Sequence, residues 1–410
     1  LTSAQLTALA ETQLNGLSST GLFSVADTQL NGLGSGQLSG LTETQLNGLR
    51  ASGLFELAIT QLDGLGSWQL AGLSNSQLDG LTSAQLLSLA NTQLDGLSAT
   101  QVKGLAHTQL DGLTSQCLLG LTGTQLDGLT SLQIAGLADT QLDALRSGQL
   151  VDFANTQLSG LRSAQWTALA NTQLDGLGSL QIFSLSSTQL DGMRGVQLAA
   201  LANTQLDGLT SAQVASLADT QLDALTSQQL TAFAGTQLRG LSSAQLSNLA
   251  NTQLDGLTSA QMTGLTTTQL DGLLSLQITA LANTQLSGLG TTQVAGLTTT
   301  QLGGLASAQL ASLTTTQLAG LVATLVAALT TTQVDALSSS QLAAWSPAQV
   351  SSLSSTHIAS LANSQLAGLT NTHVAALTTT QLGGLQTWQL AGLTTTQVDG
   401  LNSTLVNALS

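Results

Sequence analysis

One cysteine, one proline, no tyrosine and six basic residues in 410 positions close off several readings of this chain at once. A single thiol, Cys117, excludes an internal disulfide framework and leaves the compartment open. Six Lys and Arg against 21 Asp and Glu leave a net charge of −15. There is no basic stripe to neutralise phosphates, so no nucleic acid partner is expected. The richest apolar run, LVATLVAAL at residues 321–329, is far shorter than the roughly 18 residues a membrane-spanning helix needs. No Gly-rich phosphate loop followed by Lys occurs, and no Ser, His and acid combination stands out against so much Ser. The expectation is a protein with no catalytic residues and no bound cofactor.

What the chain does contain is one pattern, renewed without insertion or deletion. Cut into eights from Leu1, it reads LTSAQLTA, LAETQLNG, LSSTGLFS, VADTQLNG and so on through 51 octads, closing with Leu409 and Ser410. Self-similarity of this kind decides the architecture before any other feature does. The first position is Leu except for Val25, Phe153, Met193, Phe233 and Trp345, and the sixth is apolar throughout. The fifth is Gln in 44 of 51 octads, so an amide is as much part of the unit as the two apolar residues. The eighth is Gly, Ala or Ser except at Glu56, Asp152 and Asn248. A slower alternation lies on top: even octads favour LANTQLDG and odd ones LTSAQLxx, a period of sixteen that fades after about residue 280.

Apolar spacings of five and three exclude one long amphipathic helix, whose stripe would rotate by roughly 80° per octad. They also break the strict alternation of a simple strand. A short helix restarted in every octad fits. Ser or Thr at position two with Gln three residues later is a capping box, and the apolar residues at positions one and six form a hydrophobic staple. The sole proline, Pro347, follows Ser346 and so stands at the first helical position, where its missing N–H costs nothing. Position two is Ser or Thr in 24 octads and Ala in 15, and ten of those Ala are followed by Asn or Asp, which predicts a cap shifted by one residue there. The small eighth residue predicts a left-handed turn at each helix end. Helices this short are unstable alone and must be held by stacked neighbours. The expected fold is therefore an all-α solenoid of very short helices, one continuous array over residues 1–410.

The alternative is a β-solenoid with sixteen residues per coil. It would stack the position-seven carboxylates of the even octads about 4.8 Å apart, at roughly 0.9 kcal/mol per neighbouring pair even in bulk water. Helical layers about 8–10 Å apart place them near a Debye length. The helical reading follows.

The same carboxylates, Asp63, Asp79, Asp95, Asp111, Asp127 and Asp143, are the candidate metal site, because an oxygen-rich row suits Ca²⁺. Each octad supplies one carboxylate where Ca²⁺ takes six to eight oxygens, so solvated aspartates at helix ends are the simpler reading. His357 and His373 both replace the octad Gln and lie sixteen residues apart, which predicts neighbours in successive layers and a conservative exchange of one hydrogen-bonding side chain for another. Trp68 and Trp388 fall at position four, on the predicted surface, while Trp166 and Trp345 fall at core positions. His107 is a surface residue by the same logic.

The pattern L-[ST]-x-x-Q-[LIV]-x-[GA] over the whole chain resembles tandem octad arrays of the LTTAQIAALTTTQ type in large secreted or surface proteins of bacteria. That resemblance implies an extracellular, fibre-like or adhesin-like element, and a chain beginning in register suits a processed protein or a piece of a longer array. Two functions are expected from it. The first is a structural rod, filament or sheath that associates with itself. The second is a repetitive binding surface for a cell surface, a glycan or ice, the last through flat Thr-bearing β-ladders.

Overall fold

The computed structural model describes residues 1–408. Among them lie fifty α-helices and one 3-10 helix, and no strand. The all-α solenoid is the fold, and the sixteen-residue β-coil is not. The chain divides into two compact units, Leu1–Gly208 and Leu209–Ser410, each built from the same octads.

Each helix begins where the octad chemistry places it. Thr82 is extended at φ −76 and ψ 160 and caps Ser83–Ser88 by accepting the Gln85 N–H on its hydroxyl, while the Gln85 carboxamide oxygen accepts the Thr82 N–H at 2.7 Å. Ser346 caps Pro347–Ser351 in the same way, and Pro347 occupies the first turn. Where position two is Ala, the cap does not shift to the following Asn or Asp. Ala90 remains the N-cap of Asn91–Leu94, and Gln93 still accepts its N–H at 2.8 Å. The Asn91 amide instead donates to the Gln116 carbonyl, 25 residues on, at 3.2 Å. It links coils rather than starting a helix.

The alternation in sequence is an alternation in helix length. Odd octads give six-residue helices such as Ser83–Ser88, Ala99–Gly104 and Ser115–Gly120, and the even octads between them give four-residue ones, Asn91–Leu94 and His107–Leu110. Beyond about residue 290 five-residue helices such as Thr291–Ala295 and Ala323–Ala327 blur the distinction, where the sequence pattern also fades.

Within each unit a helix packs against the third helix along, as Asn91–Leu94 does on Ser115–Gly120 and Ser115–Gly120 does on Asp139–Leu142. Hydrogen bonds between coils span 25, 28 and 31 residues, so one coil takes a little more than three octads. Positions one and six line the core, Trp166 and Phe153 among them, except near the two ends, where Leu1, Val398 and Val406 are exposed. Carboxylates sixteen residues apart therefore do not fall one above the other.

Position eight corrects the expectation for helix ends. Among the described residues none has a positive φ, glycine included. Asp95 ends its helix in the right-handed region and Leu89 ends the preceding one extended. Gly is there for close approach. A Cβ on Gly96 would overlap the backbone of Ser67, and on Gly112 that of Ser83, each 29 residues earlier in the coil beneath. In odd octads a Cβ at the same position would meet the side chain at position three instead, as one on Gly104 would lie 2.9 Å from the Asn75 amide.

Candidate functional site

The residue that assembles the coils is the octad glutamine. Gln85 is 4% exposed, and its amide nitrogen donates to the carbonyls of Leu54 at 3.0 Å and Leu57 at 2.8 Å, residues 31 and 28 positions earlier. The same side chain thus caps its own helix with its oxygen and clamps the previous coil with its nitrogen. Gln45, Gln125, Gln205, Gln285 and Gln397 repeat the arrangement at the same two separations. Burying a primary amide is costly unless its groups are paired. Here both ends are. The capping box was legible from the S/T-x-x-Q spacing, whereas the clamp depends on carbonyls brought in by the coil pitch and carries no local signal.

Clamp and cap compensate for one another in all but two of the described helices. In every octad with Ala at position two the fifth residue is Gln, whereas the octads of Arg50 and Val322, with Gly53 and Leu325 at position five, have neither hydroxyl nor amide. Of the octads that lack Gln, those with Gly21, Cys117, His357 and His373 keep a Ser or Thr that accepts the N3 N–H.

On the surface, the junction from an even to an odd octad forms a recurring open cleft. Asp127, Thr130 and Ser131 face Ala154 and Thr156 across one of about 500 Å³, with Lys103 at its edge. Asp111, Thr114 and Ser115 face Ala138 and Thr140 across one of about 480 Å³. The same register recurs at Asp223, Thr226 and Ser227 facing Ala250 and Thr252. Alanine at position two is what leaves the space open. Each cleft offers one carboxylate acceptor and several hydroxyls that both donate and accept, a set suited to a hydroxylated ligand.

The predicted metal row is not gathered into a centre. Asp63, Asp79, Asp95, Asp111, Asp127 and Asp143 are each exposed at the end of a separate helix, and no group of three or more His, Cys, Asp or Glu that could hold a metal ion occurs among the described residues. Asp111 has instead the imidazole of His107 at 3.9 Å, on the surface. His357 and His373 are buried and do not stack on one another, because contacts between coils span more than sixteen residues. Both take over the capping half of the Gln role, and His373 the clamping half as well. The His373 Nδ1 accepts the Thr370 N–H at 3.2 Å and its Nε2 meets the Trp345 carbonyl at 2.8 Å.

Trp68 and Trp388 are exposed, and Trp166 and Trp345 are buried, as their octad positions predict. The indole nitrogens of both buried tryptophans lack a hydrogen-bond partner. Cys117 is buried in the place of a Gln, with the Thr114 hydroxyl 3.0 Å from its sulfur. No helix among the described residues is long and apolar enough to cross a membrane.

Residues 326–363 match the family model described as the ALTTAQ repeat, and no curated protein matches the chain. With the regular array of capped helices, this match makes the chain a tandem-repeat protein.

Proposed function

We propose that the chain is an extracellular structural repeat protein that builds a rod, or a self-associating filament or sheath, at the cell surface. The observation that carries this reading is the coil itself: every clamp spends its amide on a neighbouring coil, and the unit is renewed with the same chemistry throughout. A solenoid of this kind extends by adding repeats, since each contacts only its neighbours. Leu132, Leu180, Phe183 and Leu276 project into solvent from a chain that is only 7% charged, which favours association between copies. Negative-stain microscopy with light scattering tests the reading. Fibres or uniform elongated particles, with mass rising with concentration, are expected. Discrete globular monomers at every concentration overturn it.

A second reading, a repetitive binding surface of the adhesin or glycan-binding kind, is favoured by the recurring clefts of Asp, Thr and Ser. Weak sites repeated along one chain would bind a polymer by avidity. A glycan array probed with the whole chain decides it: retention of polymeric but not monomeric glycans is expected, and no retention removes the reading. The ice-binding version required flat β-ladders and is not carried forward.

A further inference from the structure

The two histidines that replace the octad Gln differ from it in one respect, because an imidazole can be protonated and an amide, at these pH values, cannot. The His357 Nδ1 accepts the Ser354 N–H at 3.2 Å, and only 6% of the residue is exposed. His373 accepts the Thr370 N–H in the same way, adds a bond of its Nε2 to the Trp345 carbonyl, and is 2% exposed. An Nδ1 that accepts an N–H places the ring proton on Nε2, which in His373 then donates to the carbonyl of the coil beneath. The cap works with the neutral ring. Adding a proton turns Nδ1 into a donor aimed at a backbone N–H.

We propose that His357 makes residues 345–375 an acid-sensitive joint in the array, where its ring holds the start of its own helix at neutral pH and lets go in mild acid. Little else there can titrate. From residue 272 to the end the sequence holds no Lys, Arg or Glu, and Asp335 and Asp399 are its only acids. The helix of His357, Ser355–Ser360, packs on Thr331–Asp335, which brings Asp335, and on Thr379–Leu382, which brings no charge. The helix of His373, Asn371–Ala375, packs on Pro347–Ser351 and Thr395–Val398, neither charged, with Asp399 following the latter.

Burial holds the His357 imidazole below its usual range, against the opposing pull of the Leu329 backbone bond and the Asp335 charge. Below about pH 6.5 the unfolded chain therefore binds more protons at this site than the folded one, and stability falls as pH falls from there. Free carboxylates titrate lower, so the interval from pH 7.5 to 5.5 is the one that tests His357.

Hydrogen exchange of the full chain at pH 7.5, 6.5 and 5.5, corrected for intrinsic rates, tests the proposal. Peptides over 345–375 are expected to lose protection by up to about tenfold per pH unit below 6.5, while peptides over 242–265, clamped by Gln245, Gln253 and Gln261, hold theirs. The double variant His357→Gln, His373→Gln restores the majority residue and should abolish the loss. Unchanged protection of 345–375 at pH 5.5, or the same loss in the double variant, overturns the proposal. The comparison of the two segments in the unsubstituted protein decides it even if the variant does not fold.

Discussion

The Gln93 amide nitrogen donates to the carbonyl of Leu65 at 2.6 Å, 28 residues back, while its oxygen accepts the N–H of Ala90 at 2.8 Å. One side chain thus closes a helix start and joins two coils, and at this octad no hydroxyl shares the first task.

Gln93→Leu is accordingly expected to destabilise more than Gln85→Leu. Both substitutions strand one buried carbonyl, of Leu65 or Leu57, and an N-cap N–H, each worth about 1–3 kcal/mol when left unpaired, while the Leu62 and Leu54 carbonyls keep a backbone N–H. Octad 81–88 keeps the Thr82 hydroxyl on the N3 N–H and so retains about 1 kcal/mol of capping. Local hydrogen exchange around each site measures the difference. Equal losses at the two sites would remove the compensation between cap and clamp.

Glycine at position eight is fixed by close approach, and glycine at position seven is not. Gly96→Ala sets a methyl against the backbone of Ser67 and should cost about 1–3 kcal/mol, as overpacking does. Gly303→Ala, inside Thr299–Gly304 with nothing within 4 Å of the new methyl, should gain about 0.5–1 kcal/mol from helix propensity. Chemical denaturation of the two variants checks both signs.

Proline at the first helical position should be transferable. Thr315 follows the extended N-cap Thr314, is exposed and begins Thr315–Ala319 as Pro347 begins Pro347–Ser351. Thr315→Pro is expected to raise stability by about 0.4–1 kcal/mol by restricting the unfolded chain. Gln317→Pro, two residues on, removes both the clamp and the N3 N–H that Thr314 accepts, and should lower the melting temperature.

Calcium makes a fourth check. The aspartates from Asp63 to Asp143 stand one to a helix end and do not converge, so millimolar Ca²⁺ should leave the melting temperature within the shift that equal ionic strength produces. A saturable stabilisation by Ca²⁺ beyond that of Mg²⁺ would show that the row binds as a site.

Much of this protein is local and was therefore legible in the chain. Helix starts follow from Ser, Thr and Gln three residues apart, and Pro347 marks the first turn because its geometry admits little else. The core follows from positions one and six, since no other positions are apolar in every octad. The sixteen-residue alternation was visible, although its meaning as four- and six-residue helices was not.

What only the tertiary structure decided are the relations set by the pitch of the coil. The left-handed turn expected at position eight is absent, and a small residue is favoured there by a backbone passing 29 residues away. The Asn after Ala90 spends its amide on Gln116 rather than on a cap, and the walls of the surface cleft, Asp127 against Ala154 and Thr156, come from different coils. A capping box closes over three residues and is written in their order. A clamp closes over 28 and 31, and those partners exist only once the coils have stacked.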